Sequence, residues 1–340
     1  MKKCLNVNCL GEIKLLYDYG STIRLDELNF DCTTNSYLKP NIYKCKKCNL
    51  KFSELVFQVS SNDVENKYKN VADHIYIKEI PYKHKYFNKL FSKVSGYIDD
   101  KKNILEIGSY YGVFGNVIKK HVKTYSGLEL SIDGSNYAKQ NFNLNIFNES
   151  VEDHEKRGIK YDVIIMSDVI EHFSNPFRII ESINKMLKPN GVLIFTTYNM
   201  DSLYAKITGK NYHWILPFHL FYFSTKTLKS IFIENKIEIF KVINDTRNVS
   251  LNYLLNKLGM IFPKFKYFFL LINKIKILRN IKYPILVFCI SFIISLPEFN
   301  RFLFGFAPRL LLESGQVSIG GVLLKGIVGM LLFSIIALFL

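Results

Sequence analysis

Apolar and polar positions alternate between two periods through the middle of this chain. Residues 103–107, 125–130, 145–149, 161–167 and 191–197 are short apolar runs of strand length. Segments with helical spacing separate them, Phe177–Leu187 among them. Strands alternating with helices predict an α/β domain: a parallel sheet with right-handed crossovers and helices on both faces. Lys236–Ile243 is a predicted sixth strand. Upstream, Phe87, Leu90, Phe91 and Val94 share one face of a predicted helix over Tyr86–Tyr97. Ser60–Lys83 reads as a polar bridge rich in Tyr and Lys, and no internal repeat is visible.

The first strand runs into a glycine turn, in the stretch NILEIGSYYGVFG at Asn103–Gly115. Gly108 and Gly112 permit a sharp turn and close backbone approach to a ligand. This strand–turn–helix unit is how open parallel sheets bind nucleotide-like ligands at the carboxyl edge. Glu129 ends the second strand, placed to accept both hydroxyls of a ribose. A dinucleotide site is the rival reading. The spacing, however, is G-x-x-x-G-x-x-G rather than G-x-G-x-x-G. Glu106 would also repel a pyrophosphate, whereas it suits the sulfonium and amino group of S-adenosylmethionine.

Further motifs follow in order: YDVIIMSD at Tyr161–Asp168, VIEHFSNP at Val169–Pro176, KPNGVLIFTTYN from Lys188 and HLFYFSTKTL at His219–Leu228. Over roughly residues 85–245 this series resembles the class I S-adenosylmethionine-dependent methyltransferases. The branch it looks most like includes ubiquinone-type O-methyltransferases and enzymes of surface-polysaccharide gene clusters. The resemblance implies a Rossmann-like sheet with helices on both faces. It places Glu106 and Gly108 at the methionine end, with Gly112 shaping the turn and Glu129 on the ribose. It puts Val151 and Glu152 beside adenine, and Asp168 with Ser167 near the reacting centre. Glu152 also reads as a plain surface acid, and Asp168 as a helix cap. One departure stands out, because Tyr110 occupies the place of the family's usual third glycine.

His172 is the first candidate for a general base, since an ordinary histidine pKa suits deprotonation of a hydroxyl. A loop-orienting role is the competing reading. His213 and His219 flank Trp214 and Pro217 in YHWILPFHLFYF, an aromatic segment expected to wall the acceptor pocket. Either histidine is an alternative base, and the aromatics read equally as core.

Five of the six cysteines lie in the first fifty residues. Cys4-x4-Cys9 and Cys45-x2-Cys48 are paired as in a zinc ribbon, where four thiolates close a structural Zn²⁺ site. The first pair is wide and has no adjacent glycine; Cys32 is a substitute ligand, and unliganded structural cysteines are the alternative. Cys289 sits in an apolar run and reads as a core or lipid-facing residue. No apolar leader occurs in Met1–Leu50, so a cytoplasmic location is expected.

The formal charge is +16 over 340 residues, with 49% hydrophobic content, which excludes a disordered chain and favours anionic partners. From Thr246 to Pro297 there is no Asp or Glu, while Lys and Arg are interleaved with Phe, Leu and Ile. That pattern suits peripheral contact with an anionic membrane surface. Ile285–Leu296 and Gly326–Leu340 are short for a span, and Ile319–Leu340 reaches spanning length only by admitting Lys325. A buried insertion ahead of a last strand at Gln316–Leu324 is the bland reading. No nucleic-acid module is visible.

The expected organisation is therefore a ribbon at 1–55, a linker at 56–84, a donor-binding domain at 85–245 and a basic, hydrophobic region at 246–340. The expected reaction is O-methylation of a small-molecule or lipid-linked sugar. A quinone precursor is the alternative acceptor. A non-catalytic scaffold with a donor site closed by Tyr110 is the alternative class.

Overall fold

The central strands form because they are apolar on both faces, as a sheet covered by helices on both sides requires. Ile104, Leu105 and Ile107 of one strand and Val163–Met166 of another are all buried. The computed structural model describes residues 3–245, apart from 7, 21–22, 25–27, 29 and 31–37, and beyond 245 only Leu324, Lys325 and Val328. Chain contacts define one unit at Met1–Arg247 and another at Asn248–Leu340. The expectations for Cys32 and Cys289 fall outside the described residues, as do, those three residues apart, the expectations for 246–340.

The main sheet contains β4 (Asn103–Ile107), β5 (Thr124–Leu128), β6 (Ile146–Phe147), β7 (Tyr161–Ser167) and β8 (Leu187–Thr196). All pairings are parallel, in the order β6-β5-β4-β7-β8. The chain winds outward from β4 to one edge, then restarts at β7 toward the other. The carboxyl ends of β4 and β7 are therefore the switch point where such sheets bind ligands. Intervening helices start at polar caps: Ser131 for α4 (Ile132–Phe142), Ser150 for α5 (Val151–Glu155) and Asn175 for α6 (Pro176–Met186). Ile179, Ile180, Ile183 and Met186 bury one face of α6.

Two expectations need correction. The polar stretch 60–83 is helical rather than a bridge. It carries α1 (Ser61–Lys69), opened by a Ser60/Asp63 capping box, and the first half of α2 (His74–Val94). Its apolar positions are too few for a helical period to be visible, and tertiary contacts described below hold it. The predicted sixth strand at 236–243 forms no ladder. Lys236 turns left-handed at φ 58°, and Asp245 is held by the Tyr86 hydroxyl and Lys93 of α2. The segment is thus tied to α2, and β8 keeps β7 as its strand partner.

A second sheet is antiparallel and begins with β1 (Ile13–Tyr17), β2 (Ile42–Cys45) and β3 (Lys51–Ser53). Its fourth strand is β9 (Phe221–Tyr222), paired through Phe52 and Phe221. The cysteine-bearing sheet is thus completed by a strand that follows the main sheet in sequence.

Candidate functional site

The turn after β4 is built from backbone constraints. Gly108 has φ +71°, and a Cβ there would stand 2.5 Å from Val169. Gly112 has φ +74° and would clash with Ala138 and Leu144 at 2.7 Å. Gly112 is the N-cap of α3 (Val113–Ile118). Tyr110 adopts φ 47°, the conformation that a glycine would take freely. Its ring is turned aside onto Tyr76 and Tyr111, at centroid distances of 4.7 and 4.5 Å. The loop thus keeps a glycine-like backbone despite the substitution.

Glu129 sits at the end of β5 and is buried. Its carboxylate accepts from the Tyr110 amide at 2.6 Å and the Ser131 amide at 2.7 Å. Burial pushes its pKa up to about 7. Glu106 is also buried, and its carboxyl accepts from the Tyr125 hydroxyl at 2.5 Å. Burial pushes it up to about 8, so it is largely neutral at pH 7. The charge expected to meet a cationic ligand is therefore suppressed here. Gly115 makes the pairing feasible, since a Cβ there would lie 2.4 Å from the Tyr125 ring. Val151 is buried in the main core at the start of α5, and Glu152 is half-buried beside it.

At the neighbouring strand end, Asp168 is left-handed at φ 54° and accepts from the Thr196 hydroxyl at 2.9 Å. The Ser167 hydroxyl is enclosed and has no hydrogen-bond partner among the described residues. It is a polar atom left over for a ligand at the switch point.

The helical segment 60–83 lies over this edge. The Ser131 hydroxyl donates to the Val71 carbonyl at 2.8 Å. The Tyr111 hydroxyl receives the Asp73 amide and donates to Asp133. The Tyr68 hydroxyl reaches Nδ1 of His172 at 2.8 Å. Only the tertiary structure reveals these contacts; the sequence hint was the density of tyrosines.

The three histidines separate into two groups. His172 lies on the turn Ile170–His172, stacked on Phe218, with its Nδ1 also 3.2 Å from the Phe218 carbonyl. Burial lowers its pKa to about 4. His219 is buried with its ring 4.9 Å from that of His172, and its Nδ1 lies 2.9 Å from the Trp214 carbonyl. Buried Glu171 accepts from Thr197, and Glu171, His172 and His219 bring ligand atoms within 4.8 Å of one another. This donor set can take a proton or a divalent cation. His213 stands apart, with its Nδ1 against the Tyr204 hydroxyl at 2.8 Å. Tyr198 stacks on Trp214 at 4.0 Å and on His219 at 5.5 Å, forming an aromatic wall beside the pair.

Residues 79–238 match the family model for a methyltransferase domain. Over this segment, a little under half of the chain, the protein is similar to methyltransferases. A Coxiella burnetii ubiquinone biosynthesis O-methyltransferase is 30% identical over 105 residues, covering 29% of this chain and 45% of that protein. The Escherichia fergusonii protein of the same name is 25% identical over 131 residues, covering 34% and 55%. The chain thus spans about half the length of these curated relatives. A crystal structure described as a SAM-dependent methyltransferase from Thermotoga maritima aligns with a TM-score of 0.39 and 20% identity, covering 48% of this chain and 77% of that one. The matched methyltransferase domain contains every donor-side and histidine candidate named above, whereas the cysteine cluster lies before it.

That cluster gathers Cys4, Cys9, Cys45 and Cys48, whose sulfurs all lie within 4.8 Å of one another. Sulfur separations are 3.5 Å for Cys4–Cys48 and 3.6 Å for Cys9–Cys45. Tetrahedral thiolates around Zn²⁺ stand roughly 3.8 Å apart, so the group fits such an ion. The amides of Lys47 and Cys48 point at the Cys45 sulfur, as in a metal knuckle. No glycine adjoins the first pair, but one comes close to the sulfurs. Gly11, two residues beyond Cys9, would place a Cβ 2.8 Å from the Cys45 sulfur.

Proposed function

We propose that the chain transfers a methyl group from S-adenosylmethionine to a hydroxyl oxygen of an acceptor. The observation that carries this reading is Glu129, held by the Tyr110 and Ser131 amides at the switch point of a methyltransferase domain. S-adenosylmethionine supplies the electrophilic methyl when bound. Glu129 holds the ribose, Val151 and Glu152 border the adenine, and Gly108 leaves room for the methionine end. The acceptor oxygen attacks the methyl carbon, the carbon–sulfur bond breaks, and S-adenosylhomocysteine leaves. The hydroxyl proton goes to a histidine.

His172 and His219 suit that last task better than His213. A carbonyl can only accept, so the Trp214 contact puts the Nδ1 proton on His219 and leaves its Nε2 as the accepting atom. Nδ1 of His172 is shared between the Tyr68 hydroxyl and the Phe218 carbonyl. Burial, which lowers the pKa of His172 to about 4, keeps its ring neutral at pH 7 and also makes it a weak base, so its ordinary-pKa advantage is lost and orientation is its larger role. Alignment by the walls of the site supplies much of the rate.

The acceptor is a hydroxyl-bearing ring that can lie against Tyr198 and Trp214. A saccharide, free or lipid-linked, is our first reading. The second is a phenolic quinone precursor, favoured by the names of the curated relatives. The four cysteines hold a structural Zn²⁺ that shapes β3 and, through it, β9. A scaffold role is disfavoured by the glycine-like backbone of Tyr110.

Calorimetric titration of S-adenosylmethionine, with NADH as control, tests the donor. Micromolar binding of the methyl donor alone is expected; binding of neither ligand to folded protein would overturn the reading. Radiolabelled methyl transfer to sugar and catechol acceptors then separates the two acceptor classes.

A further inference from the structure

The short helix α7 (Leu203–Thr208) follows the carboxyl end of β8 and carries an apolar tip that faces solvent. Leu203 is 74% exposed, Ile207 48% and Tyr204 41%. Leu203 and Ile207 share a face at i, i+4, and Tyr204 joins Ile207 at i, i+3. Only Ala205 of this helix is buried. Lys206 lies within the helix and Lys210 just past it, both exposed.

The tip is held rigidly. Ser202 caps the helix through the Ala205 amide at 3.1 Å. Asp201, just before it, is ion-paired with Lys51 of β3 at 2.6 Å, which offsets the nearest acidic charge. The Tyr19 hydroxyl donates to the Lys210 carbonyl at 2.5 Å, and Lys39 donates to the Lys210 and Tyr212 carbonyls at 3.1 and 3.3 Å. Leu38, the neighbour of Lys39, is itself exposed. Tyr204 also contacts His213, next to the aromatic wall.

We propose that α7 is a membrane-docking tip that inserts Leu203, Tyr204 and Ile207 into the headgroup boundary of an anionic bilayer. The charge pattern selects this occupant. Aliphatic tips flanked by lysines match an anionic lipid interface, where lysines meet phosphates and apolar chains enter the acyl boundary. Lysine is depleted from protein–protein interfaces, which argues against a protein partner. Residues 1–245 by themselves carry a formal charge of +7, so a negative surface also draws them in. The inference stands whichever acceptor is used and does not rest on residues 246–340. It places the bilayer beside His213 and Trp214, so that an acceptor embedded in lipid would arrive at the aromatic wall.

The test uses the full chain and vesicles of phosphatidylglycerol with phosphatidylcholine, against phosphatidylcholine alone. A Leu203→Trp variant should show blue-shifted emission, quenched by brominated lipid, only with the anionic vesicles. The pair Leu203→Glu and Ile207→Glu should lower vesicle partitioning about tenfold or more, with an unchanged melting temperature. Unshifted emission from the vesicle-bound Leu203→Trp variant would place the contact elsewhere in the chain and overturn the proposal. Undiminished binding of the double variant would do the same, as would a failure of the unaltered chain to bind. A concentration-dependent dimer that the double variant dissociates would assign this face to a second copy of the chain instead.

Discussion

The Tyr68 hydroxyl lies 2.8 Å from Nδ1 of His172. This contact joins α1, which precedes the main sheet, to the turn that follows β7. It also lets the segment covering the donor side orient a base candidate on the acceptor side. A covering helix and a candidate base thereby share a hydrogen bond.

Tyr68→Phe tests that linkage. Methyl-transfer kcat is expected to fall about tenfold, less than the loss of a whole general base, with the donor Kd unchanged. An unaltered kcat would leave Tyr68 as packing alone.

Donor affinity should depend on pH through Glu129. Ribose hydroxyls donate to the ionised carboxylate, and its pKa is pushed up to about 7 in the free protein. Affinity is expected to rise as pH increases through about 7 and then level off. Glu129→Gln should flatten this dependence and weaken binding. Calorimetry across that pH range gives both readouts.

His172 makes stability, too, fall at low pH. Its folded pKa, about 4, lies below the ordinary value of 6.5, so folding favours the neutral ring. The stabilisation is complete above pH 6.5 and is lost as pH falls toward 4. His172→Gln should reduce the acid sensitivity of the melting temperature over that window relative to the unaltered chain.

Gly108→Ala combines a left-handed φ with a 2.5 Å approach to Val169. It is expected to cost about 1–3 kcal/mol and to disturb the donor loop directly. Denaturant melts measure the stability, and the donor Kd should weaken in parallel.

Removal of zinc should act on the acceptor side. Cys45→Ser is expected to lose the metal by elemental analysis and to loosen β3 and its partner β9. Because β9 follows His219 directly, acceptor KM should rise while donor Kd holds. A variant that retains zinc, or one whose donor binding fails first, would contradict this route of coupling.

The five strands of the main sheet were legible because each is a short apolar run bounded by turn residues, with ends correct to within a few positions. Lys236–Ile243 has the same local look and does not pair, because the anchoring of Asp245 to α2 is a contact between distant residues. The stretch 60–83 failed in the other direction. Its helices are held by Tyr68 meeting His172, Val71 meeting Ser131 and Asp73 meeting Tyr111, and a polar sequence carries no period for such contacts. The left-handed turns at Gly108 and Gly112 were readable from local backbone chemistry. The partnering of Glu106 with Tyr125 was not, since it depends on the space left by Gly115 on another element.

Local order along the chain determined what neighbouring residues can determine: strands, turns, a donor loop and two cysteine pairs. Sequence alone also named all three histidines, without ranking them. Only the tertiary structure brought His172 and His219 within 4.9 Å and left His213 with Tyr204. It alone paired β3 with β9, joining the cysteine sheet to the segment that follows His219. The physical reason is common to these cases. Period and turn chemistry act over a few residues, whereas burial, charge suppression and pairing depend on which distant surfaces exclude water together.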